Sequence, residues 1–378
     1  MVQRSFWIDL IERQWRRRSV IWLCGVRRAG KTVLCQSMKN VEYFDCELPR
    51  VRRTMEEPEE FLSGLMGKRI VLDEIHRLPH PSELLKIAAD HFPSVRVIAT
   101  GSSILEASTR FEDALTGRKT EIWLTPMNSR DLADFGDGKL SRRLLRGGIP
   151  PFFLAKDHPG TDFQEWMDSY WAKDVQALFR LERRNSFIKF MELLFVQSGG
   201  IFEATRFAAP CEISRQTVTN YLAVLEATKI ISVIRPYSSR KSSEILSAPK
   251  TYAFDTGFVC HARGIDALSA DDFGVLWEHC VLNEIQGFAQ NRPVHYWRDK
   301  RGHEVDFVLV GRQRLVIAVE CKWNSSAFNP VNLIAMRKRH PGGKNFVVSS
   351  DVTKPFKRHF GDLEVEFLGL DGISHFSA

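Results

Sequence analysis

Residues 19–38, SVIWLCGVRRAGKTVLCQSM, constrain the fold of this 378-residue chain more than any other stretch. An apolar run meets a glycine loop, and an amphipathic continuation follows. Residues 25–32 match the pattern G-x-x-x-x-G-K-[ST]. Strand, tight loop and helix in that order predict a parallel α/β sheet that holds a phosphate at the helix N-terminus. There backbone N–H groups converge with the positive end of the helix dipole. Gly25, Val26, Arg27, Arg28, Ala29, Gly30, Lys31, Thr32 and Val33 are the expected nucleotide-binding residues. Lys31 would reach the β- and γ-phosphates and Thr32 would ligate Mg2+. Arg27 and Arg28 are not required by the cradle and are expected to face solvent or a neighbouring subunit.

A second motif follows about forty residues later. GKRIVLDEIHRLP reads as a buried strand ending in Asp73 and Glu74. The carboxyl end of such a strand is where a parallel α/β sheet holds its ligand. Asp73 would hold Mg2+ through water, and Glu74 would polarise the attacking water. A further strand, VRVIATGSS, ends in Thr100, Ser102 and Ser103, hydroxyls placed to sense a γ-phosphate. Arg118, after Gly117, is a candidate arginine finger for a neighbouring subunit. ATP and Mg2+ are therefore the expected cofactors, and hydrolysis of ATP the expected reaction, with Lys31, Glu74 and Arg118 as the catalytic set.

The rest of the chain suggests a polyanionic partner. The formal charge is +7, and 44% apolar with 26% charged residues is an ordinary globular balance. Seven cysteines without a CxxC pair argue for reduced thiols in the cytoplasm rather than disulfides or zinc. Neither a signal peptide nor a membrane span is expected. In the middle region, RFAAPCEISRQTVTNYLAVLEATKIISVIRPY predicts a short helix, a turn and a second helix from Arg215. Two strands after it would form the wing of a winged helix. Val218, Tyr221, Leu222 and Leu225 fall on one helical stripe. Arg215, Gln216, Thr219 and Asn220 then face outward, with Arg240 and Lys241 of the following loop as further DNA contacts. A winged helix that binds protein instead is the competing reading.

Near the end, a periodic helix carries Glu278 and Glu284, and strands EVDFVLV and LVIAVECKW carry Asp306, Glu320 and Lys322. Glu320 and Lys322 are two apart, so both point to one face of their strand. This order resembles the PD-(D/E)XK nuclease core, in which Asp306 and Glu320 would bind a divalent metal, Lys322 would activate water and Glu284 would complete the site. A salt-bridged cluster on an inactive fold is the alternative.

The phosphate loop, VLDEIHRLP, IATGSS, LTGRKTEIWLTPMNSRDL and the later segments, taken in order, resemble prokaryotic AAA-type P-loop ATPases with a C-terminal winged-helix and nuclease-like region. That resemblance implies an α/β chain with an ATPase domain over 1–135, a helical linker over 136–190, a winged helix over 191–258 and a PD-(D/E)XK-like domain over 259–378. It also implies a homo-oligomer, a hexameric ring among its forms, with Arg118 acting in trans. A helical lid bearing a second sensor arginine is not evident. Three functions stay open: an ATP-driven motor or remodeller on duplex, single-stranded or branched DNA, an ATP-gated metal-dependent nuclease, and an ATP-switched interaction protein.

Overall fold

The computed structural model describes residues 2–101, 113, 115–157, 160–176, 183–238, 248–311 and 315–377. Ser102, Ser103, Arg240 and Lys241 lie outside them. The chain divides into two units. The first takes residues 1–138, 166–182 and 227–229, and the second takes the remainder.

In the first unit, strands β1 (Val20–Cys24), β2 (Glu42–Asp45), β3 (Arg69–Asp73), β4 (Arg96–Thr100) and β5 (Lys119–Trp123) form one sheet in the order β2-β3-β4-β1-β5. Every neighbouring pair is parallel. The apolar runs of β1, β3 and β4 are buried almost throughout, as strands covered on both faces must be. Helices α1 (Ser5–Trp15), α2 (Lys31–Ser37), α3 (Pro81–His91) and α4 (Ser129–Asp134) belong to this unit. Trp22, Leu72, Leu85 and Val97 sit in its core. Helix α5 (Gly160–Tyr170) ends in a π-helical turn, Trp171–Val175.

The second unit carries α6 (Ala204–Ala208), α7 (Arg215–Ala227), α8 (Asp272–Ala289) and α9 (Val331–Arg339). Its eight strands are β6 (Ile231–Pro236), β7 (Lys250–Ala253), β8 (Val294–Arg298), β9 (Glu304–Val310), β10 (Val316–Lys322), β11 (Lys344–Ser349), β12 (Phe356–Phe360) and β13 (Leu363–Leu368). They form one mixed sheet in the order β12-β13-β11-β10-β9-β8-β6-β7. Trp277, Val281 and Ile285 of α8 pack with Phe307, Ile317 and Val319. Leu333 and Met336 of α9 pack with Val305, Ala318 and Val347 in a second cluster. The sequence predicts β6 and β7 as a separate wing. They do pair antiparallel, but β6 also pairs parallel with β8 through Arg235 and Pro236. The pair is therefore the end of the C-terminal sheet, because the free edge of β6 finds a strand to bond. No helix among the described residues is long and apolar enough to cross a membrane.

Candidate nucleotide site and C-terminal carboxylate cluster

The loop after β1 takes backbone shapes that its glycines permit. Gly25 has φ 155°, and a Cβ there would come within 2.7 Å of the Leu124 carbonyl oxygen. Gly30, which precedes α2, is left-handed at φ 94°, a conformation that penalises a side chain. Arg28 is left-handed too, at φ 63°. Lys31 folds across the loop and donates to Gly25 O at 2.7 Å. Burial lowers its pKa, while the charges of Glu74 and Asp174 oppose that shift. Val33 is half-exposed on α2.

Thr32 donates to Asp73 Oδ2 at 2.8 Å, so the two expected Mg2+ partners already touch. Tyr43 and Thr100 also donate to the Asp73 carboxylate. The Thr100 hydroxyl accepts the Glu74 N–H at 3.1 Å, which ties it to the acidic pair. Glu74 is left-handed at φ 55°, the kind of strained backbone that clusters at functional sites. Its Oε2 lies 3.0 Å from His76 Nδ1. That hydrogen bond holds Glu74 below the usual carboxylate range against the opposing effect of burial, with Lys31 and Arg27 assisting.

These residues suit a magnesium nucleotide. Hydroxyl and carboxylate oxygens are the hard donors Mg2+ takes, and the glycine cradle leaves room for a phosphate against the backbone. Thr32 and Asp73 would hold the metal, directly or through water. The metal would neutralise phosphate charge. Lys31 would bind the phosphates, and ionised Glu74 would orient water toward them.

Arg27 departs from its expected place. Its Nε donates to Asp174 Oδ2 at 3.1 Å, and its carbonyl accepts from Trp166 Nε1 at 3.0 Å. It faces the π-helical turn because a buried carboxylate there needs a cation. Two further residues that support the loop carry no sequence signal. Arg4, 3% exposed, grips the Asp131 carboxylate at 2.8 and 2.6 Å and donates to the Ala29 carbonyl at 2.9 Å. Asp131 also joins Asn128 in a capping box at the start of α4. Arg118 lies just before β5, at the end of the strands opposite the phosphate loop, paired with Asp90 at 2.7 Å. The parallel register matches Lys119 with Val20 and Trp123 with Cys24. A five-residue strand, about 16 Å long, therefore separates Arg118 from its own loop.

In the second unit, Ser214 caps α7 through the Thr217 N–H at 3.1 Å. Val218, Tyr221, Leu222 and Leu225 are buried, whereas Arg215, Gln216, Thr219 and Asn220 are exposed. Asp306, Glu320 and Lys322 come together on the neighbouring strands β9 and β10. Lys322 Nζ lies 2.8 Å from Glu320 and 3.9 Å from Asp306. The Asp306 carboxylate also accepts the Cys321 N–H at 2.7 Å. Burial raises the pKa of both acids, with their mutual repulsion or that of Glu278 adding to it and Lys322 opposing. Burial alone would lower the Lys322 ammonium, but the two carboxylates overcome it. Glu278 is the α8 carboxylate whose charge reaches Asp306, and it lies 3.6 Å from the buried Lys250. Glu284 sits six residues on, roughly 240° around a helix of 3.6 residues per turn, and is buried. Among the described residues, no group of three or more His, Cys, Asp or Glu side chains is arranged to hold a metal.

Comparison with known proteins finds matches in three consecutive regions. Residues 17–133 match the AAA domain family, residues 137–269 match a domain of unknown function (DUF8612), and residues 273–361 match another (DUF4143). Uncharacterized proteins of Mycobacterium bovis and Mycobacterium tuberculosis are each 27% identical over 321 residues, which span 82% of this chain and 71% of theirs. Among solved structures, a Walker-type ATPase of Pyrococcus abyssi is similar at 14% identity and TM-score 0.43, over 70% of this chain and 96% of that one. A signal-transduction ATPase with numerous domains from Pyrococcus horikoshii is similar at 13% identity and TM-score 0.29, over 74% and 46%. Residues 17–133 thus match an AAA domain, joined in this chain to two regions that match domains of unknown function.

Proposed function

We propose that the chain couples Mg2+-dependent ATP hydrolysis to the remodelling of branched or unwound DNA, as a motor of the helicase or branch-migration type. The observation that carries the DNA assignment is the exposed face of α7. A buried stripe holds the helix down while Arg215, Gln216, Thr219 and Asn220 point outward. Those side chains suit phosphates and base edges, and the +7 charge of the chain favours such a partner. Assembly of several copies fits the position of Arg118. At the opposite end of the strands it is a strand's length from its own loop, so it would serve the site of a neighbouring copy. A hexameric ring is one such assembly.

A second reading has its own observation. The order α8, β8, β9, β10, α9, β11, with Asp306 on β9 and Glu320 and Lys322 on β10, is compatible with a PD-(D/E)XK core. Glu278, whose charge reaches Asp306, would take the role given to Glu284. In this reading the cluster cuts DNA with a divalent metal, gated by ATP, and metal binding would displace the protons of the raised carboxylates into solvent.

One experiment separates the two. Labelled duplex, single-stranded and four-way-junction DNA are incubated with Mg2+, with and without ATP, using wild type, Lys31→Ala and Lys322→Ala. ATP-dependent strand separation that Lys31→Ala loses and Lys322→Ala keeps supports the motor. New shorter fragments that vanish in Lys322→Ala support the nuclease. An ATPase rate indifferent to DNA, with no salt-sensitive DNA binding, rejects both and leaves an ATP-switched interaction protein.

A further inference from the structure

Asp174 is a carboxylate beside the phosphate loop for which ATP hydrolysis has no evident use. It stands on the π-helical turn Trp171–Val175, with its side chain 8% exposed. Its Oδ2 accepts from Arg27 Nε at 3.1 Å. The same segment meets the loop a second time, where Trp166 Nε1 donates to the Arg27 carbonyl at 3.0 Å. The Trp166 and Tyr170 rings stack at 5.5 Å and 14°, and the Tyr170 hydroxyl lies 2.6 Å from that of Thr228. Trp166 and Tyr170 are fully buried, so the segment is seated on the loop rather than resting near it. The charge of Asp174 acts on Lys31 and on Glu74. Burial raises the Asp174 pKa, and Arg27 and Lys31 oppose that shift.

Two cations of the loop, Arg27 and Lys31, thus lie in the field of one carboxylate, and phosphates bound in the loop would attract the same two. We propose that Asp174 is a built-in competitor of the terminal phosphate of the nucleotide, a residue that sets triphosphate affinity by holding Arg27 until ATP takes it. Repulsion between Asp174 and the phosphates grows with each charge added, so the competition is felt more by a triphosphate than by a diphosphate. The π-helical turn offers the means of withdrawal. It carries one residue more than an α-turn, and its conversion to α-helix would rotate Asp174 by about 100° from its seat.

The inference rests on the first unit binding nucleotide. Titrations of the full chain with Mg2+ and either a non-hydrolysable ATP analogue or ADP would compare wild type, Asp174→Asn and Arg27→Gln. Asp174→Asn is expected to tighten the triphosphate analogue about tenfold or more and ADP by less. Arg27→Gln is expected to weaken the triphosphate. A folded Asp174→Asn that binds the analogue as wild type does, or more weakly, overturns the proposal. A wild type that binds no nucleotide overturns the nucleotide reading itself, a different failure. Hydrogen–deuterium exchange on wild type needs no variant to fold. The analogue should raise exchange over residues 166–176 more than ADP does, and protection or no change there overturns the competitor role.

Discussion

Asp131→Asn tests whether the first unit depends on a buried charge pair behind its phosphate loop. The Asp131 carboxylate is 0% exposed and accepts four N–H groups: Arg4 Nε at 2.8 Å, Arg4 Nη2 at 2.6 Å, Trp7 Nε1 at 3.0 Å and its own cap, Asn128 N, at 3.1 Å. Asparagine keeps the shape, removes the charge and turns donors toward a guanidinium that is itself 3% exposed. Breaking one side of a buried pair leaves the other charge without compensation, a loss of about 3–5 kcal/mol. For a domain of this size each kcal/mol moves the unfolding midpoint by about 2–4 °C, so the expected drop is about 6–20 °C. Calorimetry or circular dichroism would read it. Nucleotide affinity should fall as well, because the third arm of Arg4 holds the Ala29 carbonyl of the loop at 2.9 Å. The double variant Arg4→Met with Asp131→Leu leaves no orphaned charge and should recover much of the stability. If Asp131→Asn unfolds within 2 °C of wild type, the pair does not hold the unit together and the reasoning fails.

Three further outcomes are expected. Glu74→Gln should keep nucleotide binding and lower the hydrolysis rate by about 100-fold or more, since a general base supplies roughly that factor; an unchanged rate would remove Glu74 from the chemistry. His279 is buried and kept neutral, with its pKa pushed down to about 4 by burial, and Arg263 and Arg143 act in the same direction. Its Nδ1 bonds the Val275 carbonyl at 3.0 Å and its Nε2 meets the Ser198 hydroxyl at 2.5 Å. A depressed histidine contributes stability that is present above the ordinary imidazole value and lost as pH falls toward 4. The second unit should therefore lose about 3 kcal/mol between pH 6.5 and 4. His279→Gln should flatten that part of the profile, and an equal slope in both proteins would contradict it. Arg215→Ala should weaken duplex binding and reduce the salt dependence of the affinity by about one counterion; an unaltered slope would put α7 elsewhere than on a phosphate.

Local pattern carried much of the N-terminal unit, and distance hid the rest. Gly25, Gly30, Lys31 and Thr32 are neighbours in the chain, and the apolar runs of β1, β3 and β4 announce strands buried on both faces. The stripe of α7 was readable for the same reason, since a period of 3.6 residues is a local signal. The sequence expectation for the α8 acid fell on Glu284, whereas Glu278 is the one whose charge reaches Asp306. Both residues sit on one periodic helix, and only the packing of that helix decides which of them meets β9. Asp131 and Asp174 gave no signal at all, because each is separated from its arginine by more than a hundred residues. Nothing in their neighbours in the chain marks either as special. Yet one fixes the backbone of the loop through Arg4, and the other bears on its cations through Arg27. The motif supplies a generic phosphate cradle, and carboxylates remote in sequence set its rigidity and charge. Any property that separates this chain from others with the same motif should therefore follow Asp131 and Asp174 more closely than the loop itself.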